Sequence, residues 1–422
     1  VKFDFNLESS LLLLGFTQGM VYGGLLLWRG FTARRLSDRF LGCLLIVICL
    51  HLSHYMLGFA GWFNTRDAYT TFMFYFPIEN MLWVGPLVYY YFRSLTNREF
   101  KMKRRDWYHF LPGGIHLALL ALVFTRDIVV QHWIIGEPLQ CFEGTRGDWA
   151  CYYEDQLEIP IQMLWTVSIT LYLYLTLRDY QRYRTYLNNH FSAQEGIQFG
   201  WLRNLLLILG VGLVITWGYD LYGFIVGEWS HSEYWYTHLI LAAATYIVCI
   251  QGYHTSVKEK ELNFINAKDK PVEETPLSVE VPEEEEPKTV EVKGQIPQPE
   301  KPAQPELLGW VERVKAFMEE EEPYLNPELN LKQLAKAMQT NHAVLSRVIN
   351  SGFGQNFNDF INSKRVEAVK CKMEDPASAH YSLLGIANEC GFNSKSTFNR
   401  AFKKFSGVSP RDFMQSLQNE QQ

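Results

Sequence analysis

Apolar residues cover the first 255 positions in seven stretches, at about 7–28, 40–61, 72–92, 110–124, 159–177, 204–227 and 234–253. A bilayer core of roughly 30 Å is crossed by about 20 such residues in a helix, so the pattern predicts seven spans, the fourth being the shortest. Beyond Glu306 the rhythm becomes that of soluble helices, with Leu307, Val311, Val314 and Phe317 on one face. Between the two regions, positions 271–305 hold eight Pro and nine Glu and no aromatic residue. Such a segment has too little apolar surface to fold. The expected architecture is all-α, with a seven-transmembrane-helix bundle at 1–255, a disordered acidic Pro/Glu-rich linker at 256–305 and a helical domain at 306–422.

Composition sharpens this division. The chain has 422 residues, 39 Lys plus Arg against 45 Asp plus Glu, and a net charge of -6, but 11 of its 12 Trp and 21 of its 23 Tyr precede residue 258. A single small enzyme domain is excluded by length. The loops after stretches one, three and five carry fourteen Lys and Arg, whereas the opposite side has only Lys2, Arg66, Arg126 and Arg146. By the positive-inside rule the amino terminus is outside and everything after Tyr253 is cytoplasmic. No small-residue cleavage site follows the first stretch, so it reads as an uncleaved span. Only Cys141 and Cys151 fall in the outer loop, where a disulfide is permitted; the other five cysteines are expected to be reduced. A charged linker run, 283–286, is read as a solvated spacer rather than a mask for a basic face.

Ionisable groups inside spans are costly and mark candidate sites. His54, Glu79 and Asp220 each lie seven residues inside the outer end of their stretch, roughly 10 Å deep at the helical rise, with His238 and Gln162 just above them. These five outline an outward-opening polar pocket for a small-molecule or peptide ligand, the alternative being helix-to-helix pairing that fixes the packing. His51 and His116 sit nearer the midplane. The seventh stretch has no Lys for a retinal Schiff base. A metal-dependent intramembrane hydrolase would draw on His51, His54 and Glu79, but the seventh stretch adds only His238 and no H-x-x-x-H pair. Pro77 and Pro86 kink the third stretch without the matching partner that a repeat-built transporter would show. No catalytic residue, metal or cofactor is expected.

A pattern then occurs twice in the last quarter of the chain. Leu331, Leu334, Ala335 and Met338 repeat as Leu383, Ile386, Ala387 and Cys390, 52 residues later, each set forming the buried stripe of a short helix. A tight turn and a second helix follow each. In the first unit Leu345, Val348 and Ile349 face inward and Ala343, Ser346, Arg347 and Asn350 outward. In the second, Gly391 suits a left-handed helix end, Ser394 a cap, and Phe398, Ala401, Phe402 and Phe405 an inward stripe. Lys395, Ser396, Thr397, Asn399, Arg400, Lys403 and Lys404 are left exposed. A polar, basic second helix after a short turn is the arrangement that enters a major groove. Positions 331–413 hold 12 Lys plus Arg against 6 Asp plus Glu, a basic region within an acidic chain.

At these residues the sequence resembles the AraC/XylS family of transcription regulators. The resemblance covers about 307–413, and its most specific part is Ile386-Ala387, Gly391-Phe392, Ser394, Phe398, Arg400, Phe402-Lys403, Gly407, Ser409-Pro410 and Phe413. The stretch Phe360-Ile361-Asn362-x-x-Arg365 looks like the family's linking helix. The resemblance implies two helix-turn-helix units, with Ala343, Ser346 and Arg347 facing bases from the first and Lys395, Ser396, Thr397 and Arg400 from the second. Met414 departs from the Arg that is common there, and Ala343 with Ser346 offers little bidentate capacity, so the second unit and Arg347 are expected to carry most base readout.

The chain is therefore expected to be a non-enzymatic, membrane-embedded one-component regulator of a bacterial inner membrane. Its partners would be double-stranded DNA, the lipid bilayer, an outer-side ligand and a second copy of itself, with dimerisation carrying the signal past the flexible linker. The competing expectation is a seven-span receptor or transporter whose cytoplasmic domain binds a partner protein.

Overall fold

A computed structural model describes residues 3–62, 65–76, 80–97, 100–195, 197–226, 235–254, 304–378 and 380–420. Nearly all of the expected linker, and Glu79, lie outside the described residues. Within them the chain is helical, with two isolated bridges, Cys141 to Arg146 and Phe191 to Asn330, in place of any strand. It divides into two compact units, Val1–Tyr183 with Phe199–Ile265, and Arg184–Gln198 with Asn266–Gln422.

The first unit contains α1 (Leu7–Thr32), α2 (Leu36–Phe59), α3 (Ala68–Tyr75), α4 (Val84–Leu95), α5 (Leu111–Phe124), α6 (Asp148–Tyr152), most of α7 (Glu158–His190), α8 (Gly200–Val226) and α9 (Trp235–His254). Four helical runs among the described residues are long and apolar enough to cross a bilayer: Leu7–Thr32, Leu36–Phe59, Arg104–Ile135 and Asp148–His190. The expected fourth stretch is longer than its apolar core. A 3-10 turn at Arg104–Phe110 precedes α5 and a π-helical turn at Thr125–Ile135 follows it. The third stretch is broken instead. Phe76 ends α3 in an extended conformation, ψ 129°, as the residue before a proline favours. The chain restarts helically at a 3-10 turn, Met81–Trp83, and Pro86 falls in the first turn of α4, where its missing N–H costs nothing. In α8 only Gly200–Ile215 forms a shorter apolar run.

The packing of α1 relies on small residues. Gly15, Gly19 and Gly23 are buried at four-residue spacing, and a Cβ on Gly15 would stand 2.7 Å from the Cβ of Ala242 in α9. Small residues at such spacing let two helix backbones approach closely.

The second unit holds α10 (Gln304–Glu320), α11 (Leu331–Ala337), α12 (His342–Gly352), α13 (Phe357–Glu374), α14 (Leu383–Glu389), α15 (Lys395–Ser406) and α16 (Pro410–Glu420). Its helices start at side-chain caps. Asn330, Asn341, Asn356, Ser382 and Ser394 each accept a backbone N–H of the first turn, which satisfies donors that a helix leaves orphaned. There are two cores, and α13 contributes to both. Phe357, Phe360 and Ile361 join Leu331, Leu334, Leu345 and Val348 in the first, while Val366, Val369 and Met373 join Ile386, Ala387, Phe398 and Phe402 in the second.

Candidate functional site

The two helix pairs repeat down to single backbone bonds. Met338 N donates to the Leu334 carbonyl at 3.0 Å and Thr340 N to that of Ala335 at 2.8 Å. Cys390 N donates to the Ile386 carbonyl at 3.1 Å and Phe392 N to that of Ala387 at 3.0 Å. Each turn passes through one left-handed residue at the same place, Gln339 with φ 53° and Gly391 with φ 87°. Glycine is required in the second turn for another reason too. A Cβ there would press on the carbonyl oxygens of Tyr324 and Leu325.

The outer face of α15 carries Lys395, Ser396, Asn399, Arg400, Lys403 and Lys404, all exposed. Lys404 pairs with Asp359 of α13 at 2.7 Å. Gly407, φ 80°, ends the helix after Lys403 and Lys404, whose charges complement its carboxyl-terminal dipole. On α12 Arg347 is exposed, whereas Ala343 and Ser346 are half-buried and the Asn350 amide reaches the Ser346 hydroxyl at 3.3 Å. Met414 packs against the second core instead of offering a charge. Thr397, expected to be exposed, is half-buried, and its hydroxyl donates to Oε1 of Glu195 at 2.7 Å.

Arg365 lies where the two cores meet and is 1% exposed. Its guanidinium donates to the carbonyls of Tyr324 and Asn326, each at 2.7 Å, and to the hydroxyl of Ser192 at 3.2 Å. Burial lowers its pKa to about 10, still above neutrality, so the carbonyl oxygens face a cation. Sequence pattern placed Arg365 in the linking helix but gave no sign of this burial.

In the first unit a cavity of about 600 Å³ is lined by His51, His54 and Gln162, together with Arg66, Arg146, Glu154 and Trp165. Two of the five expected pocket residues, His54 and Gln162, therefore line it. His238 is buried with its ring 5.4 Å from that of His51, and the side chain of Asp220, like Glu79, lies outside the described residues. His116 joins the lining through a 2.8 Å bond to the Tyr153 hydroxyl. Arg146 pairs with Glu154 and lies over the rings of Phe74 and Phe142, at 3.8 and 4.1 Å; burial lowers its pKa. Residues of the expected outer loop thus form part of the wall, which counting loop charges did not reveal. The loop is ordered around Asp127, 0% exposed, which accepts from the Tyr75 hydroxyl and the first amides of α6. Cys141 and Cys151 are joined in it as a disulfide. Among the described residues no three His, Cys, Asp or Glu side chains gather as a metal site.

Residues 334–416 match the family model of a helix-turn-helix domain. The match supports an AraC-type DNA-binding domain in this part of the chain and, with it, a transcription regulator. No curated protein and no solved structure matches the chain.

Proposed function

We propose that the chain is a membrane-embedded one-component regulator, in which a seven-span unit senses an outer-side or membrane signal and a cytoplasmic pair of helix-turn-helix units reads DNA. The observation that carries this reading is the inverted polarity of the first unit, on the same chain as an AraC-type reader. On α7 the side chains of Ile159, Met163, Val167, Leu171 and Tyr174 are 52–65% exposed and lie on one face, while His51, His116 and His238 are at most 9% exposed. A surface this apolar, around an interior that also holds buried polar groups, suits lipid as the surrounding solvent.

In this reading Arg347, Lys395, Ser396, Thr397 and Arg400 meet base edges, with Ala343 and Ser346 close by, and Lys403 and Lys404 meet phosphates. Arg400 gives guanine a bidentate grip. His54, Gln162 and His238, with Glu79 and Asp220, receive the ligand. The amino terminus is outside, the reader is cytoplasmic and the membrane is the bacterial inner membrane. Two chains assemble so that the readers share one operator at high local concentration.

The test is DNA binding by the full chain in bilayer discs, with duplexes selected from a random pool and titrated at several salt concentrations. Affinity should fall steeply with salt, and Arg400→Ala should weaken the selected sequence by about 1 to 3 kcal/mol relative to random duplex. Failure to enrich any sequence would refute the reader; recovery of the chain in the soluble fraction without detergent would refute the membrane assignment.

A further inference from the structure

The second unit includes chain far outside the residues 334–416 that match the helix-turn-helix model. Arg184–Gln198, the end of α7 and the segment leading to α8, belongs to it. Phe191, Ser192, Ala193 and Gln194 are 9, 1, 8 and 7% exposed. They touch three separate parts of the reader. Phe191 pairs antiparallel with Asn330, the cap of α11, and both the amide and the hydroxyl of Ser192 donate to the Leu329 carbonyl, at 3.3 and 2.6 Å. From α13, Nδ2 of Asn358 donates to the carbonyls of Phe191 and Ser192, at 3.1 and 2.8 Å, and Arg365 donates to the Ser192 hydroxyl. From α15, the Thr397 hydroxyl donates to Glu195.

We propose that Phe191–Glu195 is a strap that holds the reader in a DNA-excluded state, with the Glu195 carboxylate on the Thr397 hydroxyl as its latch. The inference rests on the reading of α15 as the base-facing helix. Thr397 stands in the first turn of α15, where backbone N–H groups and the helix dipole attract an anion. Lys395, Ser396 and Arg400 flank it on the exposed side. A carboxylate held there occupies the acceptor position that a phosphate or base oxygen takes in a complex, and its charge repels the approaching backbone. Thr397 has one proton to donate, so the strap and DNA compete for it. The strap is also the shorter covalent route to the first unit. It begins one residue after α7 ends at His190, and α8 starts at Gly200, whereas the expected linker runs for 50 residues. Displacement of α7 or α8 by a signal therefore pulls on the strap directly, and its release frees the second recognition helix.

The experiment compares the full chain in bilayer discs with Glu195→Ala, and with Glu374→Ala as a control that removes an exposed carboxylate elsewhere on the reader. Glu195→Ala should bind the selected duplex about tenfold tighter, the loss of one hydrogen bond to a charged group, while Glu374→Ala binds like the parent. A second measurement leaves the latch intact. In an Ala193→Cys chain, the rate of maleimide labelling at position 193, followed by peptide mass, should be slow without DNA and rise on saturation with the duplex. Equal affinity of all three chains would overturn the strap and leave the reader standing, as would labelling unchanged by DNA. Absence of DNA binding by every form would overturn the reader and the strap together.

Discussion

The two units expose apolar side chains very differently on the same secondary structure. In the second, Leu331, Leu334, Leu345 and Phe402 are 0% exposed and the charges of α15 face outward; in the first, Val167 and Val214 are 62 and 70% exposed while Asp127 is 0%. Helix starts differ less sharply. Asn and Ser caps open five helices of the second unit; in the first, Asn6 and Asp67 cap α1 and α3, while α2, α4 and α5 begin without a side-chain cap bond. Helicity alone therefore says little about function here. What separates the two units is how much apolar side chain each leaves exposed.

The largest effects should come from making that exposed surface polar. Val167→Arg with Leu171→Arg on the exposed face of α7 should cost about 5 kcal/mol of insertion, read as loss of the chain from the membrane fraction. Leu308→Arg, on an equally exposed apolar position of α10, should leave thermal stability within about 0.5 kcal/mol. Equal tolerance of both changes would remove the distinction between the units.

Next in size is Arg365→Met, which leaves the Tyr324 and Asn326 carbonyls without their donor. A destabilisation of roughly 3 kcal/mol is expected in denaturant titration. The repeated turns allow a finer comparison. Gly391→Ala forces a Cβ into the left-handed region and onto two carbonyls, at a cost of about 2 kcal/mol, whereas Gln339→Gly relieves the same strain in the first turn and should stabilise by about 0.5 kcal/mol.

The smallest expected effect is one of pH. Burial lowers the pKa of His190 from its ordinary 6.5; the Tyr186 carbonyl, which bonds its ring, opposes this, and the positive charges of His342 and Lys332 add to it. The docked strap therefore favours neutral His190, and a released strap takes up the proton first. Docking is fully supported above pH 6.5 and weakens as pH falls below it, until the docked form is also protonated. Labelling at position 193 should accelerate in that window, and His190→Gln should flatten the response.

Much of the reader was legible in the sequence because its signals are local. The stripe at Leu383, Ile386, Ala387 and Cys390, the left-handed Gly391 and the Ser394 cap appear in the structure at the positions the spacing predicts. The strap was not legible, since Phe191–Gln194 carry no motif and their partners lie more than 130 residues away, as in the 137-residue separation of Ser192 and Leu329. Arg365 was read as part of a signature, but a charged residue gives no advance sign of complete burial. In the first unit, apolar length predicted seven spans, and four of the described helical runs are long and apolar enough to cross a bilayer, while α3 ends at Tyr75 with Phe76 extended. Arg146 and Glu154 line the cavity beside the segment that Asp127 holds through the amides of Trp149 and Ala150, a tertiary effect absent from charge counts.

The most direct test of the central claim is a genome-wide map of DNA occupancy in the native cell, made on the membrane fraction, for the full chain beside its Arg400→Ala form. Discrete sites held by the membrane-bound chain and lost in the Arg400→Ala form are the expected result. No discrete sites for the full chain, in cells grown across several conditions, would contradict it.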